Sequence, residues 1–157
     1  MAGPPAAGGV DSAIQGRIEV YNVTKDYGQG LPLVLVIDDE QESLEQMTSL
    51  LSAEQIECRC CPTSEEAIAA AQETPPNLII CDVNLQGEGG LETCRRIKEL
   101  PGMEDVPTMF LSGVQLPDII RRSHEAGGIY CLRKPFDPKV LMELIDQALG
   151  APTGMSA

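Results

Sequence analysis

Short apolar runs recur five times along this chain, each followed by a stretch of helical periodicity, and that alternation limits the fold more than any other feature. Leu33 to Ile37 reads as a buried strand and is followed by a helix with Leu44, Met47 and Leu51 on one face. Ile56 to Cys61 gives a second strand, and Thr63 with Glu66 makes a capping-box signature that starts a helix over Ser64 to Gln72. Leu78 to Cys81 is a third strand; a glycine-rich loop, Gln86 to Gly90, leads into a helix with Leu91, Cys94 and Ile97 inward, stopped at Pro101 and Gly102. Val106 to Leu111 is a fourth strand, Pro117 to Ala126 a helix ended by Gly127 and Gly128, and Ile129 to Leu132 a fifth strand. Asp137 and Pro138 then supply an N-cap and a first helical residue for a last helix with Leu141, Leu144, Ile145 and Ala148 on its apolar side. Near-continuous apolar strands alternating with helices require a parallel sheet covered on both faces, with right-handed crossovers. The expected class is α/β: a doubly wound five-stranded parallel sheet flanked by five helices.

The chain's 157 residues, 43% hydrophobic, suffice for one such core but not two. We expect residues 1–30 to be an N-terminal tail, 31–150 the domain and 151–157 a short C-terminal tail. The formal charge of −13 disfavours direct binding of nucleic acid, whose phosphates are held by clustered Lys and Arg. No apolar run approaches the roughly 18 residues needed to cross a bilayer, and no secretory signal opens the chain. A cytoplasmic location and no membrane partner are therefore expected. There are six cysteines, Cys58, Cys60, Cys61, Cys81, Cys94 and Cys131, and His124 is the single histidine. The cysteines read as small buried hydrophobes in a reducing compartment. Cys58 and Cys60 fall on one strand face and Cys61 on the other, so the three do not converge as ligands. Within the tail, Arg17 to Val23 has strand character, and the string beginning at Ile18 (IEVYNVTKDYG) resembles the opening of ABC-transporter ATPase domains. The chain carries no GxxxxGK[ST] loop to cradle nucleotide phosphates, so that chemistry has no site.

Ligands of an open α/β sheet bind at the carboxyl ends of its strands. There the first strand delivers Asp38, Asp39 and Glu40, the third Asp82, the fourth Ser112 and Gly113, and the fifth leads to Lys134 and Pro135. Several carboxylates gathered at one point repel, which a bound cation or proton uptake relieves. Hard oxygen donors suit Mg²⁺ (or Mn²⁺), which keeps waters and pairs one or two carboxylates with a phosphate. An aspartate is ionised at neutral pH and attacks phosphorus without a general base, which suits Asp82 as nucleophile. The Lys134 ammonium and Ser112 hydroxyl would hold the other phosphoryl oxygens.

Residues Leu33 to Leu149 resemble the receiver domain of two-component response regulators, through VLVIDDE, LIICDVNL, GGLE, FLSG and LRKPF in family order. The resemblance implies a flavodoxin-like receiver fold with Asp82 as phosphoacceptor and Asp38, Asp39 and Asp82 around the metal. The backbone carbonyl of Asn84 is by the same resemblance a further metal ligand, Ser112 the switch hydroxyl and Lys134 the phosphate partner. It also implies a cis bond between Lys134 and Pro135, and a sensor histidine kinase or histidine phosphotransfer protein as phosphodonor. The chain departs from the family at Gln86 and Gly87, where many members carry a proline. It departs again at Cys131, which stands at the switch aromatic's position with Tyr130 one residue earlier on the opposite strand face. Coupling is therefore expected to run through the backbone of Ser112 to Val114 and packing of Ile119 and Ile120.

A signalling module, not a turnover enzyme, is the leading expectation. Only Gly150 to Ala157 follow the last helix, so the output is expected to be a protein partner not named by the sequence. A phosphate sink or a phosphate-independent docking domain are the alternatives. A phosphohydrolase with an aspartyl-phosphate intermediate is disfavoured: its nucleophile lies on the first strand in a DxDx[TV] string, and here Asp38 and Asp39 are adjacent.

Overall fold

The computed structural model describes residues 30–113 and 118–150. Ten elements alternate: β1 (Leu33–Ile37), α1 (Gln41–Ala53), β2 (Glu57–Cys61), α2 (Ser64–Glu73), β3 (Leu78–Asp82), α3 (Gly90–Lys98), β4 (Thr108–Ser112), α4 (Ile119–Glu125), β5 (Gly128–Arg133) and α5 (Pro138–Gly150). The strands form one parallel sheet in the order β2-β1-β3-β4-β5. The chain steps outward from β1 to β2 and returns to β3, which puts the topological switch between β1 and β3.

Pleating divides the apolar strand residues between two cores. Val34, Val36, Leu78, Ile80, Met109 and Leu111 face α1 and α5, where they meet Leu44, Met47, Leu51, Leu141 and Ile145. Leu35, Ile37, Ile79, Cys81 and Phe110 face the other way, against Ala67, Ala70 and Ala71 of α2 and Cys94 and Ile97 of α3. Both faces of the central strands are thus dry, as their unbroken hydrophobic runs demand.

The caps form where the side chains predict them. Thr63 Oγ1 accepts from the Glu66 N–H at 3.1 Å, and Asp137 Oδ1 accepts from the Lys139 N–H at 2.9 Å, with Pro138 opening α5. Strand ends differ by a residue or two from the sequence expectation. β4 starts at Thr108, because Pro107 has no N–H to give the ladder, and runs on to Ser112; β3 includes Asp82. α4 begins at Ile119; Pro117, the expected start, lies outside the described residues, as do Val114 and the Arg17 to Val23 segment. Ile119 is buried, but Ile120 is 71% exposed, so the expected packing of both is corrected to Ile119 alone. On a one-turn step between helix and sheet only one of two adjacent residues can point inward.

Ile145 is fully buried between α5 and the sheet. Ile145→Ala should cost about 2–5 kcal/mol through lost transfer and a residual cavity. Urea unfolding followed by circular dichroism measures it, with the slope unchanged if the fold is retained.

Candidate functional site

The carboxyl ends of β1, β3 and β4 bring the predicted residues together. Asp38 and Asp82 are buried and Asp39 is half-buried, and one carboxylate oxygen of each lies within 4.8 Å of the others. Lys134, reached through the loop after β5, places its Nζ 3.0 Å from Asp38 Oδ2 and 3.1 Å from Asp82 Oδ2. Glu40 stands behind it at 3.9 Å. Ser112 ends β4, is 2% exposed, and accepts the Lys134 N–H on its carbonyl at 2.8 Å. The peptide bond from Lys134 to Pro135 is cis, as the resemblance implies.

Each aspartate also organises a loop. Asp38 Oδ1 accepts from the Glu40 N–H at 2.9 Å and Asp82 Oδ1 from the Asn84 N–H at 2.9 Å; Asp39 Oδ2 accepts from the Gln86 N–H at 3.0 Å. The last bond ties the loop after β3 to the end of β1 at the position where the family often has proline. Asn84 therefore takes part through its N–H, two residues beyond Asp82.

Burial raises the Asp38 carboxyl above its ordinary 3.8, against the lowering effects of the Glu40 N–H and Lys134. For Lys134, burial disfavours the charge, yet the hydrogen bonds and charges of Asp38 and Asp82 outweigh it and hold the ammonium above its ordinary value. Lys134 is thus the site's own counter-ion. The donors around the cluster are all hard oxygen, the chemistry that Mg²⁺ prefers.

Two further features shape the site. At Gly90, the first residue of α3, a Cβ would lie 1.9 Å from the Asp82 carbonyl oxygen, so only glycine lets the helix approach the end of β3. Beside it, Ser64 and Thr93 form a buried hydroxyl pair at 2.6 Å, and Thr93 Oγ1 donates to the Gly89 carbonyl at 2.6 Å. With that proton committed, Ser64 is the donor to Thr93. The Gly89-Gly90 pair was the available signal for the close approach; the hydroxyl pair had none, because its partners are 29 residues apart.

Removing the counter-ion should expose the repulsion it masks. Lys134→Ala should lose about 3 kcal/mol in magnesium-free buffer, the cost of leaving buried carboxylates unpaired. Excess MgCl₂ should restore much of the loss if the cation binds the folded cluster. Urea denaturation with and without the salt reads both.

Residues 34–146 match the family model described as response regulator receiver domain. An uncharacterized 14.6 kDa protein of Leptolyngbya boryana is 27% identical over 114 residues, covering 73% of this chain and 87% of that protein. The phosphate regulon transcriptional regulatory protein PhoB of Pseudomonas aeruginosa is 28% identical, over 74% of this chain but only 51% of its own length. Among solved structures, chemotaxis protein CheY4 of Vibrio cholerae superposes with a TM-score of 0.73 at 24% identity, covering 76% of this chain and all of that one. A putative response regulator from Chloroflexus aurantiacus gives 0.72 at 28% identity, covering 76% of this chain and 98% of that one. No helix among the described residues is long and apolar enough to cross a membrane. With the doubly wound sheet, the acidic strand ends and the family match together, the chain belongs to the response regulator receiver domains of two-component, phosphorylation-based signalling.

Proposed function

We propose that residues 31–150 form a receiver unit that takes a phosphoryl group on Asp82 and passes the signal to a protein partner, with residues 1–30 and 151–157 as tails. The observation that carries this reading is the three-carboxylate cluster at the sheet's switch point, bridged by one lysine at 3.0 and 3.1 Å. In transfer from a phosphohistidine of a sensor kinase or phosphotransfer protein, an Asp82 oxygen bonds phosphorus as the phosphorus–nitrogen bond breaks. Asp82 is buried, at 6% exposure, which restricts the donor's access to it. Lys134 is released from Asp82 to a phosphoryl oxygen, and the Ser112 hydroxyl turns to donate to another. Asp38 and Asp39, with Asp82 and the Asn84 carbonyl, would hold Mg²⁺ (or Mn²⁺). When bound, that ion offsets charge on the incoming phosphoryl group. Few carboxylates and several waters make such a site weak, which fits a cation exchanged with solvent.

The output face we assign to α4, β5 and α5, where Ile120, Ile129 and Val140 are exposed large hydrophobics. Phosphorylation adds nearly two negative charges beside Ser112 and Lys134, drawing the following loops inward and repacking the buried Ile119. Since Ile120 stands in solvent, its place is on that face, in contact with a partner.

Asp82→Asn should abolish labelling by acetyl phosphate with magnesium, read by intact mass, while far-ultraviolet circular dichroism stays unchanged. Stoichiometric labelling of the variant would move the acceptor elsewhere. Beryllofluoride, a phosphoryl mimic, should shift amide resonances at Ser112, Ile119, Ile129 to Leu132 and Leu141. Shifts confined to Asp38, Asp39, Asp82 and their neighbours would favour a phosphate sink over a switch.

A further inference from the structure

A second cluster of reactive side chains lies at the sheet's β2 edge. Cys58 and Cys60 share one face of that strand, and their sulfur atoms are 3.6 Å apart. Cys61 turns to the opposite face and packs into the core beneath α2. Thr48 of α1 closes the third side, with Oγ1 3.2 Å from Cys60 Sγ and 3.8 Å from Cys58 Sγ. Its proton is committed, because Thr48 Oγ1 donates to the Leu44 carbonyl at 2.8 Å. The remaining oxygen lone pairs face the thiols. Both cysteines are half-buried on a strand that has a neighbour on one side only among the described residues.

The spacing discriminates among the things that two thiols do. A disulfide needs sulfurs about 2.05 Å apart and Cβ atoms near 3.8 Å. Residues two apart on a strand are separated by roughly 6.4–6.8 Å along it. That lies at the upper edge of the Cα separations a disulfide usually spans, so closing the bond would strain the ladder that pairs Cys58 with Val34 and Cys60 with Val36. Two thiolates that share one metal ion at about 2.3 Å each sit about 3.7 to 4.6 Å apart, from tetrahedral to linear geometry. The pair reaches that range by a small side-chain rotation, with the ladder intact. Among the described residues the only group of three or more His, Cys, Asp or Glu within metal-binding reach of one another is the acidic one, so no closed four-ligand zinc site surrounds Cys58 and Cys60. Soft thiolates at low coordination number select monovalent copper.

We propose that Cys58 and Cys60, with Thr48 Oγ1 as a weak third donor, form a binding site for one Cu(I) ion. Binding converts two thiols and Cu⁺ into a bis-thiolate complex of net charge −1 and releases two protons to solvent. Burial, reinforced by Cys60, pushes the Cys58 thiol up to about 12, so Cys58 stays protonated at neutral pH until the ion itself displaces its proton. The soft pair and the hard acidic cluster do not compete for ions.

The test is anaerobic titration of the full chain with Cu(I), supplied as its acetonitrile complex, against a chromogenic Cu(I) chelator. The expected result is withdrawal of one equivalent, with thiolate-to-copper ultraviolet absorption and X-ray absorption dominated by two sulfurs. Both should be lost in Cys58→Ser and in Cys60→Ser, and kept in Cys131→Ser and in excess Mg²⁺. In the unaltered chain, Cu(I) should protect Cys58 and Cys60, but not Cys131, from alkylation by N-ethylmaleimide, a readout independent of how the variants fold. Retention of all copper by the chelator, undiminished binding in both serine variants, absence of alkylation protection, or a Cys58–Cys60 disulfide formed without bound metal would each overturn the site.

Discussion

Carboxylates that converge where strands end must be held against their own repulsion, and the loops of this molecule are arranged around that requirement. Asp38 and Asp82 are buried, so solvent screens them poorly, and Lys134 spans both. The three aspartates also each accept a backbone N–H, from Glu40, Asn84 and Gln86. Those bonds fix the turn into α1 and the path of the loop after β3. A hydrogen bond to an ionised acceptor is roughly twice as strong as a neutral one, so repulsion at the centre is converted into order at the periphery. The same bonds mean that a new charge on Asp82 cannot stay local: it competes for Lys134, whose backbone N–H is bonded to the Ser112 carbonyl.

The sequence made the scaffold and the charged residues legible because both follow short-range rules. Two-residue alternation within Leu33 to Ile37 and Leu78 to Asp82 sorts side chains between two cores, and strand-end position brings Asp38, Asp82, Ser112 and Lys134 together. Contacts set by tertiary approach were not legible. The clearance at Gly90 depends on how closely α3 meets the end of β3, and the Ser64-Thr93 bond on how α2 meets α3. The exposure of Ile120 was missed for a related reason: adjacent isoleucines give no phase to a helix of only seven residues. The cysteine reading was right in placing Cys58 and Cys60 on one face and Cys61 on the other; it is corrected in taking all six as buried, since Cys58, Cys60 and Cys131 are half-buried, and the shared face brings the sulfurs of Cys58 and Cys60 to 3.6 Å.

The exchange of an aromatic for Cys131 has a structural counterpart in the pleat. Tyr130 packs toward α1 and α5, and its hydroxyl donates to Gln147 of α5 at 2.8 Å. Cys131 faces the opposite core, with its sulfur 3.5 Å from Oγ of Ser123 of α4, whose hydroxyl proton goes to the Ile119 carbonyl at 2.7 Å. The ring therefore links β5 to α5, and the small thiol leaves β5 joined to α4 by a serine. A bulky side chain flipping between inward and outward rotamers is unavailable on that side. At Gly128, where β5 begins, a Cβ would strike the Phe110 ring at 2.6 Å, so glycine lets the strand lie close against that ring.

That arrangement bears on how the acidic edge and the proposed output face can communicate. Ile120, Ile129 and Val140 sit on three successive elements, in a chain whose net charge of −13 keeps most of its surface strongly solvated. Single exposed apolar residues are ordinary, and three of them do not make a partner by themselves. What gives them consequence is their place in the chain: α4 is the next helix after Ser112, and β5 ends one residue before Lys134, so the elements bearing Ile120 and Ile129 neighbour in sequence two groups that would take new bonds to a phosphoryl oxygen. A partner that binds this face shifts the equilibrium only by its differential affinity for the two arrangements of those elements. By reciprocity, a partner that prefers the arrangement favoured by a phosphoryl group on Asp82 would favour that modification by the same free energy. On the proposed reading, the charge balance around Lys134 and a partner's contacts with Ile120 and Ile129 would be two terms of one equilibrium.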